Sequence, residues 1–406
     1  MLQLASDNYA PVHPEVMAAV AAANHGFAVS YGDDPVTARL GDRAAEVFGD
    51  GTRIFPVLNG TGANVVSLMA AAPRWGGVIA SDVAHVHTDE NGAPERVGGL
   101  KLLTVPSTHG RIGPEAVDRW VGDLGDVHRA QPAVLSLTQV TELGTVYPVA
   151  DLKLLADAAH AAGLLVHLDG SRLANAAATL GVSLREITTD VGVDILSLGA
   201  AKNGGMLGEA VVVLPGGIRA DGGAGPTDAV PYLRKATMQL ASKTRFVSAQ
   251  LLALLGEPGT PTSGPGSPAS GDRPGAPASG SDGAPLWLRN AGHSNAMAAR
   301  LRAGIEAAGL TGDGGAGDAD GERDAAAPGA AGGVGGGAVR ISRPTEANVV
   351  FATLPRAAAD RLRAEVRFYD WSPGETPDRV EVRWMCAWDT TEADVDAFVG
   401  HLAAAL

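Results

Sequence analysis

The chain has 406 residues, 45% of them apolar, and a formal net charge of −14. At roughly 100–200 residues per domain, that length suggests two or three domains with a sizeable core. The acidic balance, with no basic run, argues against nucleic acid or an anionic membrane surface as partner. The lone cysteine, Cys386, excludes a disulfide framework and a cysteine-cluster metal site. No run of ~18 uninterrupted apolar residues occurs, so no membrane span is expected. The opening MLQLASDNYAPVHPEV lacks the basic and apolar regions of a signal peptide, and a cytoplasmic location is the expectation.

Short apolar strands alternate with helices along most of the chain. Residues 52–58, 77–80, 133–138, 164–168, 195–198 and 209–214 read as strands. Helices are expected over 64–72, 114–124, 149–162 and 172–180, and as one long stretch over 232–255. Strands this apolar, separated by helices, predict an α/β domain with a mostly parallel sheet covered on both faces. A helix over 286–308, short segments at 347–353, 361–366 and 380–384, and a last helix over 391–406 predict a smaller C-terminal α+β domain. The segments 257–285 and 311–338 are rich in Gly, Pro, Ser, Ala and Asp and carry no apolar period. Both are expected to be disordered surface insertions. The expected division is therefore an N-terminal arm and large domain over 1–256 and a small domain over 286–406.

Ligand sites of parallel sheets lie outside the carboxyl ends of the strands, and four runs there carry unusual polar residues. In Val166-His167-Leu168-Asp169-Gly170-Ser171-Arg172 an apolar strand runs straight into a carboxylate, followed three residues later by a guanidinium. A buried carboxylate needs a cationic partner, although a helix cap at Asp169 or Ser171 is the plainer explanation. The chain has five lysines, at 101, 153, 202, 235 and 243, and only Lys202 follows a buried strand in a Gly-rich loop. A partly desolvated amine there could form a Schiff base; an ordinary solvent-facing lysine is the alternative. Asn59-Gly60-Thr61-Gly62 opens a helix after a strand, which suits a phosphate but equally an ordinary turn and cap. His85 and His87 are two apart, yet no cysteine or convergent acidic cluster supports a metal, so none is expected; a ring could instead stack on a planar cofactor. Phosphate cradle, His, Asp and Lys in that order fit pyridoxal phosphate, with the Asp keeping the pyridine nitrogen protonated. A nicotinamide-binding reading lacks the GxGxxG fingerprint.

These runs, with Ser6-Asp7, Tyr31-Gly32-Asp33-Asp34-Pro35, His167-Leu168-Asp169-Gly170-Ser171-Arg172-Leu173-Ala174-Asn175, Lys202-Asn203-Gly204 and Val382-Arg383-Trp384, resemble the threonine aldolases of the β-eliminating lyase group. The resemblance covers 1–256 and 286–406. It implies a fold-type-I pyridoxal phosphate architecture and retro-aldol cleavage of L-threonine or L-allo-threonine to glycine and acetaldehyde. Lys202 would carry the internal aldimine, Asp169 would stabilise the quinonoid, and His85 would stack on the ring. Gly60 and Thr61 would hold the phosphate, with Lys243, rather than Lys235, as a further phosphate ligand. Ser6, Arg172 and Arg383 would bind the substrate carboxylate. Tyr31 would reach into a neighbouring subunit's site, implying a dimer or tetramer. Many members carry Asn-Thr-His-Asn where this chain has Val140-Thr141-Glu142-Leu143, so the resemblance implies that Glu142 stands in for a His near the substrate side chain, a departure that bears on the β-substituent preference. The base that removes the β-hydroxyl proton stays open among His85, Glu142 and a water. Two other readings are a lyase acting on a different β-substituted amino acid and a non-catalytic relative.

Overall fold

The structure, a computed structural model, describes residues 1–217, 225–260, 262, 283–311, 338–374 and 376–406. Most of the two low-complexity segments, and with them the expectation of disorder, lie outside the described residues. The flank at 257–260 is tied down: Gly259 N donates to the Glu46 carboxylate (2.9 Å) and Arg43 to the carbonyl of Thr260 (2.7 Å).

Seven strands form the central sheet: β1 Arg53–Val57, β2 Gly76–Ser81, β3 Lys101–Val105, β4 Gln131–Thr138, β5 Leu165–Gly170, β6 Ile195–Leu198 and β7 Glu209–Val213. Their order is β1-β7-β6-β5-β4-β2-β3, and only β7 runs against its neighbours. Every residue of β2, β6 and β7 is buried, as a sheet covered on both faces requires. The two-residue period sorts β5 by face. Val166 and Leu168 enter the main core beside Leu135, Leu137, Leu196 and Leu198; burying each such side chain contributes on the order of 2 kcal/mol. His167 and Asp169 alternate with them and face the helix Gly60–Ala71, where Asn64 and Ser67 are buried.

The C-terminal region builds a four-stranded antiparallel sheet from β8 Arg340–Ile341, β9 Val349–Pro355, β10 Tyr369–Pro373 and β11 Arg379–Met385, ordered β10-β11-β9-β8. Two connections fasten it to the rest. The helix Leu286–Ala307 places Leu286 and Trp287 in the main core and Met297, Leu301 and Ile305 in the C-terminal core. The first residues of the chain also belong with the last: Leu2–Gln3 pairs in parallel with Val366–Arg367, and Met385 N donates to Leu4 O (2.8 Å). That pairing carries Ser6 and Asp7 to the end of β11.

Several elements differ from expectation. The long helix over 232–255 is two helices, Pro226–Ala236 and Arg245–Leu255. Thr237 returns its hydroxyl to Leu233 O, and Met238 takes a left-handed φ of 62°, which no helix continues. The helix expected from residue 64 starts at Gly60, because the Asn59 side chain caps it by accepting from Gly62 N (2.7 Å). The helix Pro35–Phe48 and β3 were not anticipated.

Candidate active site

The carboxyl ends of β4, β5 and β6 point at one pocket, and the chemistry gathers there. Asp169, buried at the end of β5, accepts from Asn64 Nδ2 at Oδ2 (2.8 Å) and from Ser171 N at Oδ1 (3.0 Å). Burial pushes this carboxyl up. The Lys202 ammonium, the Asn64 amide and the neighbouring imidazoles outweigh it, and Asp169 stays below the usual carboxylate range. Lys202 lies in the short turn Ala201–Asn203 after β6. Burial, then the Arg172 charge, hold its amine below the ordinary lysine value, while Asp7, Asp169 and Glu209 pull the other way. The turn is fixed beyond Lys202, where Asn203 donates to Trp287 O (2.9 Å) and accepts at its carbonyl from Asn290 (2.8 Å).

Gly60 and Thr61 open the helix Gly60–Ala71, and first-turn amides have no intrahelical acceptor. A Cβ at Gly60 would meet nothing within 4 Å, so the space before these amides is open. At Gly62 it would strike the Gln239 side chain at 2.1 Å. Gln239 reaches the strand end itself, accepting from Leu58 N (3.0 Å), a contact the sequence did not reveal.

His85 begins a short turn beside Asp169. Its Nδ1 lies 2.8 Å from Glu90 Oε1, and Asn64 Nδ2 donates to the same oxygen (2.8 Å). The Glu90 contact holds the imidazole above its usual pKa, against burial. The expectation that no acidic group converges on these histidines fails for His85. Its ring, Glu90 and Asp169 place one ligand atom each within 4.8 Å of one another, while His87 is exposed. The Asn64 amide bridges both carboxylates with its hydrogens, while Glu90 Oε2 and Asn64 Oδ1 are buried without a partner among the described residues. On the other side His85 N donates to Glu142 Oε1 (2.7 Å). Glu142 Oε2 is buried without a partner, and burial pushes the carboxyl to about 7 against the pull of the His85 amide.

Of the two arginines expected to bind the substrate carboxylate, Arg172 faces Lys202 and Arg383 faces Arg172. Arg172 is engaged by a residue the sequence reading gave no role: Nε and Nη2 donate to the two oxygens of buried Asp7 (2.7 and 2.9 Å), which Asn348 also contacts (3.2 Å). A bidentate pair of this kind fixes the plane of the guanidinium. Arg383, on β11, stacks over Trp371 (4.9 Å) and donates to Ala5 O (3.2 Å), leaving Nε buried without an acceptor. Ser6 caps the turn Asp7–Tyr9, with its hydroxyl accepting from Asn8 N (3.2 Å).

Two expected residues are not brought to this pocket within one chain. Lys243 is exposed in the turn before the helix Arg245–Leu255, and its side chain makes no ion pair among the described residues. Tyr31 is half exposed with a left-handed φ of 63° and stacks under the Lys235 ammonium (4.5 Å). It lines a separate cavity of about 410 Å³ with Arg53, Phe55 and Arg234. No helix among the described residues is long and apolar enough to cross a membrane.

A half-buried lysine and a buried aspartate at adjacent strand ends, before an open helix N-terminus, make this end of the α/β fold the candidate active site. The chain belongs to the beta-eliminating lyase family, whose model matches residues 3–312. It is 34% identical over 408 residues to the low specificity L-threonine aldolase of Pseudomonas sp. (strain NCIMB 10558), covering 100% of this chain and 98% of that one. The enzyme of the same name from Pseudomonas aeruginosa is 35% identical over 390 residues, covering 96% and 93%. Among solved structures, Leishmania major threonine aldolase superposes with a TM-score of 0.78 at 23% identity, covering 100% and 99%. Serine palmitoyltransferase of Sphingomonas wittichii gives 0.62 at 14% identity, covering 99% and 86%. The fold is thus the expected fold-type-I architecture.

Proposed function

We propose that this chain is a pyridoxal phosphate-dependent threonine aldolase that cleaves L-threonine and L-allo-threonine to glycine and acetaldehyde. The observation that carries the proposal is the half-buried Lys202 held in the field of Asp169, in a chain whose full-length relatives bear that name. The residues suit the cofactor. Gly60 and Thr61 present free amides to a phosphate, and Asp169 keeps an unused lone pair on each oxygen for a protonated ring nitrogen. His85 flanks that space, and Lys202 offers the amine. When bound, pyridoxal phosphate supplies an aldehyde that captures an amine and a ring that accepts the electron pair left on Cα.

The protein's own residues do the rest. Arg172, its plane set by Asp7, and Arg383, with its unpartnered Nε, orient the substrate carboxylate, with Ser6 beside them. Glu142 takes the β-hydroxyl proton as the Cα–Cβ bond breaks. Its Oε1 is anchored on the His85 amide and its Oε2 is buried and unpartnered. Acetaldehyde leaves, and a proton delivered to Cα completes glycine. Only the ionised carboxyl can accept a proton, so cleavage should rise with pH through about 7. Glu142→Gln should remove that limb and slow threonine cleavage by about 100-fold or more. Exchange of glycine's α-hydrogen with D2O, which involves no hydroxyl, should persist. A Gln enzyme that cleaves threonine at the native rate would move the base to His85 or a water.

The proposal is tested by acetaldehyde release from L-threonine with and without added cofactor. Cofactor-dependent release supports it. A coloured protein that releases none is a lyase for another β-substituted amino acid, and a colourless, inactive one is a non-catalytic relative. We also infer self-association. Phe27, Val29 and Tyr31 form an exposed apolar stretch that a second copy would cover, carrying Tyr31 to the neighbouring pocket; Lys243 would then act as a phosphate ligand from its exposed turn.

A further inference from the structure

The element that holds Lys202 in place includes a carboxylate with no role so far. Glu209 opens β7, paired in the ladder with Val57, and is buried. Its side chain turns back to the loop before Lys202: Oε2 accepts from Ala200 N and Oε1 from Ala201 N. These amides belong to the two residues that lead into the lysine. The far end of the turn is held by neutral groups only: Asn203 and Asn290 as described, Gly205 N on Ala200 O (3.1 Å), and His13 N on Gly204 O (2.9 Å). Glu209 is therefore the one ionisable side chain hydrogen-bonded to this turn among the described residues.

We propose that Glu209 is the positioning residue and local counter-charge of Lys202, clamping the turn that carries it through the Ala200 and Ala201 amides. The proposal deepens the cofactor assignment and rests on it for its consequence in the loaded enzyme. The groups facing Lys202 are Arg172, Asp7, Asp169, Glu209 and the titratable ring of His85, and those facing Glu209 are Lys202 and Asp169. Burial pushes Glu209 to about 7, while the two amides and Lys202 pull it down. Its charge therefore switches on near neutrality, and above that pH it offsets the cation of Arg172. Asp7 pairs directly with Arg172 and Asp169 lies across the pocket on β5, whereas Glu209 is hydrogen-bonded to the lysine's own loop.

The test compares wild type with Glu209→Gln, which removes the charge and keeps the shape, and Glu209→Asp, which keeps the charge. In the full chain without cofactor, the rate of Lys202 acetylation is followed against pH by peptide mass spectrometry. In the loaded enzyme, the pH at which the visible band changes form is recorded. Removing a nearby anion should lower both midpoints by roughly one pH unit in Glu209→Gln, a tenfold change in the protonated fraction, while Glu209→Asp stays close to wild type. Glu209→Ala supplies the uncharged variant if the Gln protein does not fold. Midpoints that do not move, or that move equally in the Gln and Asp variants, overturn the proposal. A wild-type protein with no visible band would fault the cofactor assignment instead, and the acetylation titration would still decide the role of Glu209.

Discussion

Lys202→Ala should yield a folded protein that stays colourless in excess pyridoxal phosphate and releases acetaldehyde roughly a thousandfold more slowly or worse. The chain buries this amine beside Asp169 and lowers its proton affinity, chiefly by burial and then by Arg172. Lowering an amine's proton affinity favours its neutral, nucleophilic form, the form a Schiff base needs. The fold should tolerate the change, because the turn is fastened through Asn203, Asn290 and Glu209 and not through the lysine side chain. Absorbance after cofactor addition and a coupled aldehyde assay check the two halves. A yellow, borohydride-sensitive Ala protein would place the attachment on one of the other four lysines.

The second large effect is on stability. Asp7→Ala should destabilise the chain by about 3–5 kcal/mol, because it leaves the Arg172 guanidinium unpaired in a largely buried site. Asp7 is 1% exposed, and Arg172 gives it two of its hydrogen bonds. Asp7 also ties the N-terminal turn to Asn348, whose amide bonds Cys386 O (2.8 Å), so the loss reaches the C-terminal sheet. Urea unfolding measures the cost; a loss under about 1 kcal/mol would class the pair with exposed salt bridges. Substrate carboxylate binding should weaken in parallel, since Arg172 would no longer be held in plane. The pH dependence has a definite sign. Arg172 overcomes burial to hold Asp7 below its ordinary value of 3.8, so its contribution is present above that pH and is lost as pH falls through the folded value. Glu142 and Glu209 behave oppositely. Their folded values near 7 lie above the ordinary value of 4.5, so their contribution is full below 4.5 and is lost as pH rises to about 7.

What the sequence revealed and what it hid follow a physical line. Asp169 and Lys202 stood out because a polar residue at the end of an apolar strand breaks the local pattern, and the strand end is where a parallel sheet binds ligands. The partners that set their chemistry did not stand out. Glu90 sits in a polar run, His87-Thr88-Asp89-Glu90-Asn91, indistinguishable by composition from a solvated loop, yet it is 5% exposed and bound to His85 and Asn64. Glu209 was read as the start of a strand, and only the reversal of β7 brings it back against the Lys202 loop. Asp7 meets Arg172 across 165 residues because Leu2–Gln3 pairs with Val366–Arg367, a pairing too short to show a period. Some misses had a usable signal. Asp34-Pro35 is a cap followed by proline at the first helical position, and Asp34 Oδ1 does accept from Val36 N and Thr37 N (3.0 and 2.9 Å). The break at Met238 had none, since Ala-Thr-Met-Gln-Leu is compatible with a helix until Gln239 is needed at Leu58.

The claim on which the account depends is that Lys202 carries the cofactor in a pocket anchored by Asp169. Borohydride reduction of the pyridoxal phosphate-loaded protein, followed by proteolysis and mass spectrometry, tests it most directly. The account predicts a single pyridoxyl-modified peptide, with the modification on Lys202. Modification at Lys235 or Lys243 with Lys202 untouched would contradict it.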